Sequence, residues 1–198
     1  LKQKSNEKLK SGMAERDAAF DEFCKNHFKV SRAFESWEDM AKASRNEYDA
    51  VVVGSDQLWL PSNIMADYYT LNWVPQDVKK IAYATSFGIG SIPAKYEKIY
   101  SHYLKRINYL SARETSGQDI IKKLAGRDVQ LVNDPALLLD ADGWNEVISN
   151  EPLIKEKYVF CYFMGNNPEQ RDFVRRLANE KGLKVVALLH LDQYIASD

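Results

Sequence analysis

The run Tyr48-Asp49-Ala50-Val51-Val52-Val53, ending in Gly54-Ser55-Asp56-Gln57-Leu58-Trp59, limits this chain to few architectures, because a continuous apolar stretch stops abruptly at small and charged residues. Such a run predicts a parallel strand buried on both faces, as in sheets covered by helices on each side. In open α/β sheets, ligands gather just beyond the carboxyl ends of the strands. Gly54 is expected to let a ligand approach the backbone there, and Ser55, Asp56 and Gln57 to offer it hydrogen bonds. A strand followed by an ordinary Gly-Ser-Asp turn fits these residues as well.

Composition agrees with a mixed α/β protein. The 198 residues are 45% hydrophobic and 28% charged, enough to bury a substantial core, and no stretch has the apolar length of a membrane span. A formal net charge of -1 gives no global attraction to nucleic acid. Cys24 and Cys161 lie far apart without metal-ligand spacing, so they are expected to be free thiols, with no metal site. Leu1-Lys2-Gln3-Lys4 is not followed by an apolar segment of the secretory kind, which points to the cytoplasm; this start reads as the interior of a longer polypeptide.

Helical spacing over 15–27 sets Ala18, Ala19, Phe20, Phe23 and Cys24 on one face and predicts an amphipathic helix packed on a sheet. The earlier lysines are interrupted by acids and read as a solvated arm. Ser36, followed by Glu38 and Asp39, predicts a capped helix running to about Ser44. The segment from Trp59 to Pro75 lacks a sustained period and reads as a loop over the carboxyl edge of the sheet. Its aromatics are able to stack on sugars or to pack down.

Three more strand ends carry polar groups. Lys80 to Thr85 runs into Ser86, Gly88 and Gly90; these glycines lack the third glycine and prompt helix of a dinucleotide fingerprint, and a nicotinamide cofactor is rejected. After a helix over 94–108, whose stripe of Tyr96, Ile99, Tyr100, Tyr103, Leu104 and Ile107 reads as core, Leu110-Ser111-Ala112 ends at Arg113-Glu114. A guanidinium at Arg113 can grip a carboxylate or phosphate, or pair structurally with Glu114 or another acid. The strand Val129 to Asn133 meets Asp134-Pro135, where Asp134 either serves a ligand, as orienting group or general base, or caps the turn that Pro135 enforces.

Asp142-Gly143-Trp144 and Glu151-Pro152 break the pattern, placing a boundary that separates residues 1–148 from 149–198. Beyond it Lys157 to Gly165 predicts a strand, Asn167-Pro168-Glu169 starts a helix through Lys181 that Gly182 ends, and Lys184 to Leu189 predicts a second strand. This β-α-β unit is too short for a complete doubly wound domain, so the second lobe is expected to be incomplete.

Taken in order, YDAVVVGSDQLW (48–59), IAYATSFG (81–88), LSARETSG (110–117), DPALLL (134–139), Trp144 and YVFCYFMG (158–165) resemble the polysaccharide pyruvyl transferase family. The resemblance implies an α/β, GT-B-like protein of two Rossmann-like lobes with parallel sheets and a cleft between them, here without the first strand of the first lobe. It further implies transfer of enolpyruvyl from phosphoenolpyruvate to a sugar of a bacterial surface polysaccharide, forming a pyruvate ketal and releasing phosphate. The acceptor would be a sugar or a lipid-linked oligosaccharide, met transiently at the inner face of the membrane, with no cofactor and no metal.

Carried onto matching positions, the resemblance sets Asp56 and then Asp134 as catalytic candidates, and Ser55, Gln57, Ser86 and Arg113 as substrate ligands, with Arg113 on the donor's anionic groups. The family's second-lobe histidine motif is not matched by Leu189-His190-Leu191, so no role passes to His190. The chain alone is expected to be inactive. A nucleotide-sugar glycosyltransferase of the same architecture and a non-catalytic carbohydrate binder are the competing readings.

Overall fold

A computed structural model describes residues 7–148, 151–164 and 167–188; His190 lies outside them. The chain divides into two compact units, Arg32–Ile148 and the pair of segments Leu1–Ser31 and Ser149–Asp198.

In the first unit, helix α2 (Trp37–Glu47) feeds strand β1 (Ala50–Val53), and β2 (Lys79–Thr85), α3 (Glu97–Arg106), β3 (Tyr109–Ala112), α4 (Thr115–Ala125), β4 (Gln130–Leu131) and α5 (Ala141–Val147) follow. Ser36 starts α2 as predicted, accepting the Asp39 amide at 3.0 Å, though the helix runs three residues past Ser44. All strand pairs of the four-stranded sheet are parallel, in the order β1-β2-β3-β4.

The expectation that the first strand is buried on both faces is corrected. β1 is an edge strand, and separately only one of its faces is packed: Val53 is buried while Val52 is 63% exposed. The strand read from Val129 to Asn133 shrinks to two residues, and Asp142-Gly143-Trp144 lies inside α5, capped by Asp140, so the break falls after that helix.

The core gathers Trp59, Phe87, Tyr100 and Tyr103 with Leu104, Ile107, Ile120 and Ile121. The predicted stripe on α3 is therefore core, apart from Ile99, which faces outward. The ring centroids of Trp59 lie 5.3 Å from those of Phe87 and Tyr103, the separation of tilted aromatic pairs. Lys80 is buried too. Its ammonium donates to the carbonyls of Pro75 and Val78 at 2.7 and 2.8 Å, and burial lowers its pKa from the ordinary lysine value.

The second unit contains α1 (Glu7–His27), β5 (Tyr158–Cys161), α6 (Pro168–Lys181) and β6 (Lys184–Ala187), with β5 and β6 parallel. Asn167 caps α6 and Gly182, left-handed at φ 61, ends it, as the sequence predicts. Helix α1 forms, but the face expected to pack on a sheet does not: Ala18, Ala19, Phe20 and Phe23 are exposed. Helical spacing fixes which residues share a face, and not whether another element covers it. Cys24 and Cys161 are free, and burial raises the pKa of the Cys161 thiol. No helix among the described residues is long and apolar enough to cross a membrane.

Candidate functional site

The carboxyl ends of β1, β2 and β3 are irregular in ways that gather polar side chains. In β2 the register with β3 shifts between Ala82 and Thr85, and Ala84 takes φ 52. Such bulges re-aim the residues that follow. The buried Ser111 hydroxyl closes the gap, donating to the Ala82 carbonyl at 3.1 Å and accepting the Ala84 amide at 3.0 Å. Beyond β1 the Gly54–Ser55 peptide is cis and Asp56 takes φ 62. The backbone then rejoins the sheet: Ser86 donates its amide to the Asp56 carbonyl at 2.9 Å, and Trp59 donates to the Ser86 carbonyl at 3.2 Å.

Gly54 is needed here for a reason the sequence did not show. A Cβ at this position would stand 2.0 Å from the Tyr83 carbonyl oxygen. The close approach seen here is made by the neighbouring strand, which by itself requires glycine at this position.

Arg113 is the hub. Its guanidinium donates to Asp134 Oδ2 at 2.6 Å and to Asp56 Oδ1 at 3.1 Å, and Glu114 Oε2 lies 3.9 Å from its Nε. Ser55 donates to the same Asp134 oxygen at 3.3 Å. The two alternatives for Asp134 are both realised, because Oδ1 accepts the Ala136 amide at 3.0 Å and caps the Asp-Pro turn while Oδ2 faces Arg113 and Ser55. The Ala136 amide, followed by Arg113, holds the Asp134 carboxyl below the usual aspartate range, and Asp134 foremost raises the pKa of Arg113.

Asp56 is the open member, its side chain 77% exposed, against about a third for Asp134 and Glu114. Ser86 is only 3% exposed, so it does not line an open surface as expected. Its hydroxyl donates to Glu114 Oε1 and accepts the Gly88 amide at 3.0 Å, making it a support for Glu114. Gln57 stands apart from the network: its amide packs against Gly88, where an added Cβ would lie 3.1 Å from Gln57 Cδ. Glu114 is the site residue that sequence reasoning undervalued. Beside an arginine it reads as that arginine's partner, whereas here it links Arg113 to Ser86.

Three carboxylates thus surround one guanidinium, so of the two expectations for Arg113, a grip on a donor's anionic groups or a structural pairing with acids, the structure shows the pairing. Among the described residues no group of three or more His, Cys, Asp and Glu side chains is disposed to hold a metal ion.

A parallel α/β sheet whose carboxyl edge carries linked acids, a serine and an arginine is the arrangement of a ligand-handling α/β protein. The chain belongs to the polysaccharide pyruvyl transferase family, whose model matches residues 6–197. This is a family of transferases that act on polysaccharide. No curated protein and no solved structure matches the chain.

Proposed function

We propose that the protein moves the enolpyruvyl group of phosphoenolpyruvate onto a sugar of a bacterial surface polysaccharide, closing a pyruvate ketal and releasing phosphate. The observation that supports this reading most is the Ser55-Asp56-Arg113-Asp134 network at the sheet edge of a chain in this family. The reaction protonates the donor's methylene carbon and makes its neighbour electrophilic. One sugar hydroxyl adds there and gives up its proton; a second adds to the same carbon and gives up its own proton as the bond to phosphate breaks and inorganic phosphate leaves. No cofactor or metal enters these steps.

Asp56, exposed and anchored through one oxygen by Arg113, is the group to orient an acceptor hydroxyl and take its proton. Asp134, held ionised by its three donors, is suited to accept hydrogen bonds and fix Arg113 rather than to donate a proton. Ser55 and Gln57 supply hydrogen bonds to sugar, and Glu114 and Ser86 keep Arg113 in place. With three acids against one cation, this edge favours a hydroxyl-bearing acceptor over the anionic donor. The phosphate and carboxylate of phosphoenolpyruvate are assigned to cations outside the network. The reading extends to a GT-B-like protein of two Rossmann-like lobes, working in the cytoplasm and meeting a lipid-linked acceptor transiently at the inner face of the membrane.

Phosphorus NMR tests the proposal, with phosphoenolpyruvate, UDP-sugars and galactose-, mannose- and glucosamine-terminated acceptors mixed with the full-length protein. The expected result is loss of the phosphoenolpyruvate signal and acceptor-dependent growth of inorganic phosphate, slowed by about 10²- to 10⁴-fold in Asp56→Asn. Release of UDP would support a glycosyltransferase instead. Sugar binding that persists in Asp56→Asn, with neither donor consumed, would leave a carbohydrate-binding protein.

A further inference from the structure

Away from the ionised network, the first unit carries an aromatic cluster that the core absorbs only in part, through Trp73, which packs against it. Trp37, the first residue of α2, lies with its ring centroid 6.3 Å from that of Tyr68 and 6.4 Å from that of Trp73; Tyr68 and Trp73 stand 6.2 Å apart with their planes 21° from parallel. Trp37 is 46% exposed and Tyr68 48% exposed, and Trp73 is half-buried. Leaving rings of this size in water forfeits the stabilisation that burial supplies elsewhere in the unit.

The cluster is nonetheless held by well-made local bonds. Trp73 donates its indole N–H to the Tyr68 carbonyl at 3.0 Å. Asp67, left-handed at φ 57, accepts from Thr70 Oγ1 at 2.5 Å and from Asn72 Nδ2 at 2.8 Å, which closes the segment that presents Tyr68. Arg106 fixes the far side of that segment by donating to the carbonyls of Asn72 and Val74 at 3.3 and 3.0 Å. On the other flank Arg32 pairs with both Asp39 oxygens at 2.6 Å, and Ser36 caps the helix that begins with Trp37. Rings fixed in advance lose little freedom when a ligand arrives.

We propose that Trp37, Tyr68 and Trp73 form a platform that stacks on a pyranose ring of the polysaccharide acceptor, at a subsite separate from the ionised network. This rests on the reading of the protein as a pyruvyl transferase, whose family implies a polysaccharide acceptor. A pyranose presents an apolar face of C–H groups and a rim of hydroxyls, and aromatic faces beside polar groups match both. Here the rim is supplied by the exposed carboxylate of Asp67, the residue before Tyr68, which Asn72 holds through Oδ1. An extended acceptor fits a platform of this kind better than a single sugar does, because the residue being modified and the residue being held are different units of one chain.

The test is binding of the full-length protein to immobilised galactose-, mannose- and glucosamine-terminated oligosaccharides, beside Trp37→Ala, Tyr68→Ala and Tyr68→Phe. The platform predicts that at least one oligosaccharide binds, that each alanine variant weakens it about five- to tenfold, and that Tyr68→Phe, which keeps the ring, restores most of the loss. Unchanged circular dichroism and thermal midpoints show that the variants are folded; Tyr68→Phe carries the same control should an alanine variant lose structure. Binding equal to wild type in all variants, or no binding to any probe, overturns the proposal. So does a change of sedimentation from dimer to monomer in Trp37→Ala with glycan binding intact, since the patch would then be a contact between copies. Phosphate release from phosphoenolpyruvate is followed in the same samples: transfer without platform-dependent binding sinks this inference alone, and platform-dependent binding without transfer sinks the transferase reading alone.

Discussion

Trp59 and Trp73 sit on the same connection between β1 and β2, and their indoles donate to successive carbonyls of it, Trp59 to Tyr69 at 2.9 Å and Trp73 to Tyr68 at 3.0 Å. There the likeness ends. Trp59 is fully buried among Phe87, Tyr100 and Tyr103, while Trp73, half-buried against the edge of that core, also joins the exposed rings of Trp37 and Tyr68. One loop therefore uses aromatics in two ways, first as an anchor that fixes its course over the sheet and then as a surface. The difference teaches that the hydrogen bond of an indole does not tell its job; what lies against the ring faces does.

Trp59→Ala should have the largest effect. It empties a fully buried position beside the rings of Phe87 and Tyr103 and removes the clamp on Tyr69, so a loss of about 3–5 kcal/mol is expected in denaturant unfolding. A loss under about 1 kcal/mol would break the comparison, because Trp59 would then be no more an anchor than Trp73.

Gly54→Ala follows, at the start of the same loop. The added methyl would meet the Tyr83 carbonyl oxygen at 2.0 Å, in a backbone of φ 149 that side-chain-bearing residues rarely adopt. About 2–4 kcal/mol of stability should be lost, and turnover with it, since Ser55 and Asp56 are aimed by this turn. A variant of normal stability and normal phosphate release would show that the turn tolerates the crowding.

Most of the site was legible because parallel strands end where ligands bind, so listing polar residues after apolar runs already named Ser55, Asp56, Arg113 and Asp134. What local sequence does not encode is which face of a strand another element covers, and Val52 of β1 lies on an uncovered face. Nor does it encode how deep a side chain sits beyond its strand: Ser86 resembles Ser55 in the sequence, yet the trace after β2 buries it under Glu114. Trp37, outside the loop whose aromatics the sequence marked, reaches the platform only through the packing of α2.

A gentler probe of the sealed end is Tyr100→Phe. The phenol donates to the Trp59 carbonyl at 2.6 Å, so about 1 kcal/mol should be lost at neutral pH. Burial raises the pKa of Tyr100, and raises that of Tyr103 beside it, so both stay protonated in the folded protein at pH values where the unfolded chain ionises. Their contribution is complete below about pH 10 and is lost as pH rises beyond it. Tyr100→Phe should flatten part of that alkaline decline, with Tyr103 supplying the remainder. An unaltered slope between neutral and alkaline unfolding curves would place Tyr100 outside the sealed region.

The smallest effect is expected at the open end, from Trp73→Phe. The variant keeps an aromatic face but loses the donor to the Tyr68 carbonyl, a bond made near solvent where water replaces the partner readily, so stability should fall by less than about 1 kcal/mol. Looser support for Tyr68 should still be felt by a sugar, weakening glycan binding about two- to fivefold. The pairing of a small stability change with a measurable binding change is what separates this indole from Trp59, where the order is reversed. Stability loss comparable to that of Trp59→Ala, without any change in glycan binding, would mean that Trp73 anchors the loop as Trp59 does and that the two ends of the connection differ only in exposure.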